Sequence, residues 1–391
     1  MRISIVSRIY SPEPSAASAA LEELAREFNE RGHEVTVLTT KPTAGAIYSD
    51  PPGVRVRRAP VLRDRSGYVR GYLQYLSFDL PLCVRLLFQR RADLYLVEPP
   101  PTTGAIVRVA TALLRRPYIY DVADIWSDAA VTATSSKVVL FLLRCVEKFA
   151  IRGATHAVTI SSGVASRLKE LGINTPVAVT GFGADTRVFA YPKSLDPVES
   201  PYFIYAGTYS DLHGAEVFID AFARFAEHRP GCRLLFVGNG TERANLERRV
   251  RELGVNGVEF HSPVSAARLS PMLSSAIASL ASLKPGVGYD YAFTSKAYSS
   301  LAAGSPVIFT GPGPTAGFLE NANQSQRSGA AVPYEIGAIY RALLDFADNP
   351  LSTTERQELS NWTQARHSLH AVASKIVDIA EATNATRAGT R

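Results

Sequence analysis

At 391 residues the chain exceeds what one hydrophobic core usually supports, so two domains are expected. A composition 46% hydrophobic and 20% charged describes a globular chain and excludes disorder except at the ends. The net charge of +6 is uneven: residues 1–195 hold 25 Lys/Arg against 17 Asp/Glu, and the remainder 17 against 19.

A basic first half suits an anionic partner such as a membrane surface or a phosphorylated lipid. Its arginines are interleaved with apolar runs and form no RNA-binding motif, so nucleic acid is excluded as a partner. Cys83, Cys145 and Cys232 lie far apart in apolar segments, which reads as buried thiols in a reducing compartment without metal spacing. Arg8, Pro12 and Glu13 interrupt any apolar run at the start, so no signal peptide is expected. No uncharged apolar run approaches the ~18 residues that span a bilayer. The expected location is the cytoplasm, or the inner face of the plasma membrane as a peripheral protein.

In chain order, Arg2–Ser7 reads as a strand, residues 8–15 as a turn-rich loop, and Ala19–Arg31 as a helix with Leu21, Leu24, Ala25 and Phe28 at 3–4 spacing, closed by Gly32. Glu34–Thr39 is a second strand, so the unit is βαβ and the sheet parallel. Strands follow at Val54–Arg57, Asp93–Val97, Tyr118–Val122 and His156–Ile160, with helices at Tyr72–Phe88, Thr103–Arg115, Ser136–Ile151 and Gly163–Leu171. This is a doubly wound domain over residues 1–190, whose functional edge is the set of loops after the strands.

The polar, proline-bearing stretch 191–200 reads as a linker. Alternation then restarts with strand Tyr202–Ala206 running into Gly207-Thr208, and strand Leu234–Val237 running into Gly238-Asn239-Gly240 and a helix ending near Leu253. Strand Val258–His261, helix Ala266–Ser274 and strand Ala276–Ser282 continue a second doubly wound domain over 201–352. Residues 353–382 read as helical, packing back on the first domain, and 383–391 as a disordered tail.

The stretch Leu283–Glu320 carries the clearest ligand signal. Lys284-Pro285-Gly286-Val287-Gly288 is a loop, Thr294-Ser295 offer hydroxyl caps, and a run of helix formers stops at Gly304. The helix start, with unpaired N–H groups at residues 295–297 and Lys296 in its first turn, makes an anion seat. A buried strand, Pro306–Thr310, leads into a second glycine loop, Gly311-Pro312-Gly313. The competing reading is an ordinary capped helix with a surface lysine.

Two doubly wound halves with strand–Gly–helix openings at Ala206-Gly207 and Val237-Gly238 resemble the GT-B fold: two Rossmann-like domains facing a central cleft. Tyr10-Ser11-Pro12-Glu13-Pro14, Arg31–Leu38, Asp121–Trp126, Gly183-Ala184-Asp185 with Phe189, and Leu283-Lys284 with Ser295-Lys296 and Ala302–Ile308 resemble family 4 glycosyltransferases, in particular the bacterial branch that builds O-antigen, capsule and exopolysaccharide. The resemblance implies that the second domain binds a nucleotide-sugar, the first a saccharide or lipid-linked acceptor, and that transfer occurs in the cleft with retention of configuration, without a metal or cofactor. The implied donor-site residues are Gly207, Thr208, His213, Gly238, Asn239, Lys284, Ser295, Lys296 and Ser299; the implied catalytic residues are Asp124, Lys296 and Glu13.

The chain departs from that pattern. The family's ribose-binding glutamate falls on Ser299, its partner falls on Tyr291, and the glycines usual after Pro14 are Ser15 and Ala16. Missing carboxylates leave an alternative open, a non-catalytic GT-B subunit that binds saccharide or an active transferase. A dinucleotide-dependent oxidoreductase is excluded because residues 8–18 contain no glycine. Glu13 is read as orienting the acceptor, or else as a solvated loop charge. Asp124, beside Trp126, positions or deprotonates the acceptor hydroxyl, or else caps a helix. Lys137, Arg144, Lys148 and Arg152 beside Val138, Leu140, Leu142 and Leu143 form either a lipid-facing basic helix or a core-packed amphipathic one. Tyr72–Phe88 is a second membrane candidate.

Overall fold

The computed structural model describes every residue except 14, 44, 47, 65, 66, 68, 70, 133, 196, 197, 390 and 391. It divides into two compact units, Met1–Phe182 with Leu369–Arg391, and Gly183–Ser368.

Unit 1 runs β1 (Arg2–Val6), α1 (Ala16–Glu30), β2 (Glu34–Thr40), β3 (Val54–Ala59), α2 (Tyr72–Phe88), β4 (Leu94–Val97), α3 (Pro101–Leu114), β5 (Tyr118–Val122), α4 (Trp126–Ala129), a 3-10 turn over Ala130–Thr132, α5 (Lys137–Arg152), β6 (His156–Thr159), α6 (Ser162–Glu170) and β7 (Val177–Val179). Its seven strands are parallel in the order β3-β2-β1-β4-β5-β6-β7. Ile3, Ile5 and Val6 of β1 are fully buried, as expected of a strand covered on both faces. The order reverses between β1 and β4, so the loops after these strands flank the switch point where such sheets bind ligands.

Unit 2 runs β8 (Tyr202–Thr208), α7 (Glu216–His228), β9 (Arg233–Asn239), α8 (Arg243–Leu253), β10 (Val258–His261), α9 (Ala266–Ser275), β11 (Ser279–Ser282), α10 (Lys296–Ala302), β12 (Val307–Thr310), α11 (Pro314–Ala322), β13 (Gly329–Val332), α12 (Ile336–Asp348) and α13 (Thr353–His367). Six parallel strands lie in the order β10-β9-β8-β11-β12-β13, with the switch between β8 and β11. Phe203, Phe218, Phe222, Phe236, Phe309 and Leu343 anchor its core.

Three expectations about domain limits need correction. The boundary falls at Phe182/Gly183, ahead of the stretch 191–200, of which residues 196 and 197 lie outside the described residues. Composition marked a loop, but hydrogen bonds tie the chain ahead of and at the start of that loop to unit 2: the Ala184 N–H donates to the His367 carbonyl at 2.8 Å and the Tyr191 N–H to the Ser360 hydroxyl at 3.1 Å. The C-terminal helices divide at Ser368, so that α13 belongs to unit 2 and only α14 (Leu369–Gly389) joins unit 1. There α14 packs along α1, with Arg31 of the α1 C-cap bonded to Asp378 and His33 Nε2 2.8 Å from Glu381. The tail is therefore helical to Gly389, past the expected end at 382. The cysteines also differ from expectation: Cys232 is buried, Cys83 is half-buried and Cys145 is exposed.

Candidate functional site

In unit 2 the loops after β9, β8 and β11, three neighbouring strands, converge at one sheet edge. Gly207 (φ +130°) and Gly238 (φ +151°) hold backbone conformations that favour glycine, and a Cβ on Gly238 would lie 2.0 Å from the Gly207 carbonyl oxygen. Thr208 and Asn239, the last residues of β8 and β9, are exposed, Asn239 Oδ1 accepting from the Gly240 N–H at 2.9 Å. Side chains are thus excluded where the ends of the two strands pair, which lets their backbones approach closely.

Lys296, the first residue of α10, is half-buried beside this edge. Its Nζ donates to the Tyr205 hydroxyl at 2.8 Å and sits 4.1 Å from the centre of the Tyr205 ring, which packs against Tyr209 and Phe236. No carboxylate lies within ion-pair distance of Lys296 among the described residues. Desolvation by this aromatic floor lowers the ammonium's pKa to about 7. A Cβ on Gly207 would come within 3.6 Å of that Nζ, so the missing side chain keeps the cation reachable.

His213 stands close enough to feel this charge. Burial, and then Lys296, lower its pKa to about 4, so the ring is neutral at pH 7. Its Nδ1 contacts the Ser210 hydroxyl at 2.6 Å, and a proton donated there by Ser210 leaves Nε2 as an N–H donor. Sequence reasoning had singled out Lys296, His213 and the glycines, and the fold brings them together. It missed Tyr205, which reads as one more core residue of a strand.

Other expectations about this edge are corrected by the geometry. Ser295 is exposed with helical backbone angles and makes no hydroxyl cap. The Ala297 N–H is taken by the Thr294 carbonyl at 3.1 Å, so of the three amides at 295–297 it is not open to an anion. The seat is therefore built from a lysine and two glycine loops, with little contribution from the seven-residue helix. Lys284 is not an open cation: its Nζ pairs with Asp211 at 3.0 Å and Glu216 at 3.7 Å. Ser299 is half-buried on α10, and Tyr291 packs its ring 5.3 Å from that of Tyr289.

At the carboxyl edge of the unit 1 sheet, Glu13 follows β1, Glu98 follows β4, and Asp121 and Asp124 close β5. Glu13 pairs with Arg63 at 2.6 Å, so its charge is compensated within the protein. Asp124 is exposed on the turn. Glu147, one turn before the end of α5, accepts from the N–H groups of Trp126 (2.6 Å) and Ser127 (3.2 Å), so it, and not Asp124, caps α4.

Glu98 and Asp121 were not singled out as site residues. Together with Thr180, Leu369, Val372 and Ile376 they line a cavity of about 50 Å³, room for a water or two. Burial raises Glu98 to about 7, while Arg8 and Ser7 oppose the shift. Burial, and then Glu98 and Asp124, raise Asp121 to about 7. Ser7 Oγ lies 2.7 Å from the Ile9 carbonyl oxygen and 2.8 Å from Glu98 Oε2. One hydroxyl proton cannot serve both acceptors, so both contacts are hydrogen bonds when Glu98 is protonated and donates to Ser7.

Because its folded pKa lies above its unfolded one, Glu98 lowers stability as pH rises from about 4.5 to 7. Glu98→Gln, whose amide donates to Ser7 in the same place, should remove this loss. Urea midpoints of wild type and variant are expected to coincide near pH 4.5 and to differ at pH 8 by about 1 to 3 kcal/mol in favour of the variant. Equal stability at pH 8 would rule out the buried protonated carboxyl.

Residues 15–183 match the model of a glycosyl transferase 4-like domain, and residues 200–349 that of glycosyl transferases group 1. The lipopolysaccharide core biosynthesis glycosyltransferase LpsE of Rhizobium meliloti is 34% identical over 98 residues, which is 24% of this chain and 28% of that one. The 2-deoxystreptamine glucosyltransferase of Streptomyces kanamyceticus is 26% identical over 317 residues, 76% of this chain and 80% of that one. Among solved structures, the sucrose-phosphate synthase of Thermosynechococcus elongatus superposes with a TM-score of 0.76 at 16% identity, covering 99% of this chain and 100% of that one. HepE of Anabaena in complex with UDP-glucose superposes with a TM-score of 0.68 at 15% identity, covering 98% and 100%. With both domain models matched in order along two parallel sheets of this topology, the chain belongs to the GT-B glycosyltransferases.

Proposed function

We propose that the protein moves a sugar from a nucleoside-diphosphate sugar to a saccharide acceptor, with retention of configuration and without a metal or cofactor. The acceptor is read as lipid-linked, in the synthesis of a cell-surface polysaccharide on the cytoplasmic side of the membrane. The observation that carries the reading is the Lys296 ammonium, half-buried at the switch point of unit 2, reachable past Gly207, and held among the described residues only by a tyrosine ring and hydroxyl. A diphosphate supplies the counter-charge that this site lacks.

As the bond from the anomeric carbon to the diphosphate oxygen breaks, negative charge grows on the departing group. In this reading Lys296 and neutral His213 stabilise it. UDP-glucose in HepE supports a nucleotide-sugar donor, and the lipopolysaccharide role of LpsE supports a glycolipid acceptor. The acceptor is assigned to the carboxyl edge of unit 1, with Asp124 as the residue that orients its hydroxyl and Glu13, tied to Arg63, shaping the loop beside it. The basic excess of residues 1–195 supports an anionic membrane surface as a further partner. Tyr291 and Ser299 lack the family's carboxylates, which would favour a non-catalytic subunit, but the lysine and the glycine loops remain intact.

Thermal shift with UDP, GDP and dTDP tests the donor site. One of the three is expected to stabilise the protein, by about 2.7 kcal/mol at a hundredfold excess over Kd. No shift with any of them would overturn the reading.

A further inference from the structure

We propose that unit 1 docks on an anionic lipid surface through the outward face of α2, α3 and α5, whose apolar side chains enter the headgroup layer. The proposal rests on the reading of the acceptor as lipid-borne and adds to it the face that would meet the bilayer.

The three helices lie side by side, α3 packing against both α2 and α5. Among the described residues eighteen large apolar side chains are exposed, and twelve of these lie here: six on α2, two on α3 and four on α5. That concentration far exceeds scattered surface apolarity and marks an interaction surface. On α2, Tyr72, Leu76, Leu80, Val84 and Phe88 recur every fourth residue, Tyr72 being 73% and Phe88 85% exposed. On α5, Val138, Phe141, Leu142 and Phe149 form a stripe at 3–4 spacing. Such periodicity ordinarily faces a core; here it faces outward.

Charge identifies the occupant. The three helices contain two acidic residues in all, Asp79 and Glu147, and both are buried. Asp79 accepts from the Thr103 hydroxyl at 2.6 Å, and Glu147 is spent on the α4 amides. None of the six basic residues is buried; Arg144 pairs with Asp128 at 3.1 Å and Arg85 donates to the Arg57 carbonyl at 2.7 Å, which leaves Lys137, Lys148, Arg152 and Arg108, the last 4.0 Å over the Phe149 ring at the edge of the apolar stripe. The face thus presents cations and apolar groups and no exposed carboxylate, the combination that binds an anionic interface. A second copy joined by a twofold axis would set this face against itself, cation to cation. Anionic headgroups satisfy the cations while acyl chains take up the apolar side chains.

The test is co-sedimentation of the full chain with vesicles of phosphatidylcholine alone and of phosphatidylcholine with about 30% phosphatidylglycerol, at low and high salt. Binding to the anionic vesicles should be at least tenfold tighter than to the neutral ones. The double variant Leu80→Glu/Phe141→Glu should weaken it tenfold or more, while Leu253→Glu, exposed on unit 2, should leave it unchanged. Both altered side chains are exposed, and an unchanged circular dichroism spectrum and melting temperature in the double variant show that it is folded. The proposal is overturned by absence of vesicle binding, by equal binding of wild type and double variant, or by a wild-type dimer that the double variant dissociates, which would assign the face to a second copy. Vesicle binding that persists in a protein stabilised by no nucleotide supports the docking face and sinks only the transferase reading.

Discussion

Exchange of Lys296 for methionine is expected to raise the melting temperature while lowering kcat/KM for the donor by about 10²- to 10³-fold, the usual cost of removing one group that stabilises transition-state charge. The gain in stability follows from the position of the ammonium. Burial against Tyr205 depresses its pKa to about 7, so between pH 7 and the unfolded value near 10.5 the unfolded chain holds more protons than the folded one. Stability of the wild type therefore rises with pH across that window. Methionine fills a similar volume without the charge and should lack this slope. Lys296 is only half-buried, so the gain at pH 7 should be about 1 to 2 kcal/mol once solvent screening is allowed for, a few degrees in Tm. A variant both less stable and fully active would show that Lys296 is a structural residue.

Arg356→Leu should be the most destabilising single change in unit 2, costing about 3 to 5 kcal/mol. The guanidinium is buried without a carboxylate partner among the described residues, and it donates to five backbone carbonyls: Leu351 (3.3 Å), Ser274 (3.2 Å), Gly304 (3.3 Å), Ala276 (2.8 Å) and Ile277 (3.2 Å). Four of these oxygens end α9 and α10 and lead into β11, positions where helix carbonyls have no partner of their own, and that of Leu351 lies just before α13. Leucine leaves them buried and unsatisfied. Arg356→Lys should recover only part of the loss, because an ammonium has three donors on one point and cannot span a fork of five acceptors. Denaturant titration followed by near-UV circular dichroism checks the prediction, and a loss under 1 kcal/mol for the leucine variant would contradict it. Because Gly304 follows the helix that carries Lys296, the same variant should bind donor more weakly at temperatures where it remains folded.

Much of the fold was legible because strand and helix alternate with clear punctuation. The expected strands at Glu34–Thr39, Tyr118–Val122 and Val258–His261 fall on β2, β5 and β10, and Tyr72–Phe88 is α2. The reading assigned no element to Glu216–His228, although Val217, Phe218, Ala221, Phe222 and Phe225 repeat at helical spacing and are buried in α7. Helix α14 ran past its expected end because contacts with α1, distant in sequence, override local composition.

At the site, motif position led to Lys296, Gly207 and His213, whereas the details that set their chemistry come from distant partners. The lysine's pKa depends on Tyr205, 91 residues earlier, and the state of Glu98 depends on Ser7, again 91 residues away. The pairing of Lys284 with Asp211 joins two loops 73 residues apart. Spacing along a chain carries no trace of such neighbours. For the same reason the apolar stripes of α2 and α5 were visible as stripes, while the direction they face was not.

The most direct test is calorimetry of UDP-sugar binding near pH 8 in buffers of different ionisation enthalpy. A free ammonium with a pKa of about 7 is mostly neutral there, and a diphosphate placed against it must raise that pKa. The predicted result is uptake of about one proton per donor bound in the wild type, affinity that falls as pH rises above 7, and neither effect in Lys296→Met. Binding without proton uptake, or with equal affinity in wild type and Lys296→Met, would contradict the placement of the diphosphate at Lys296.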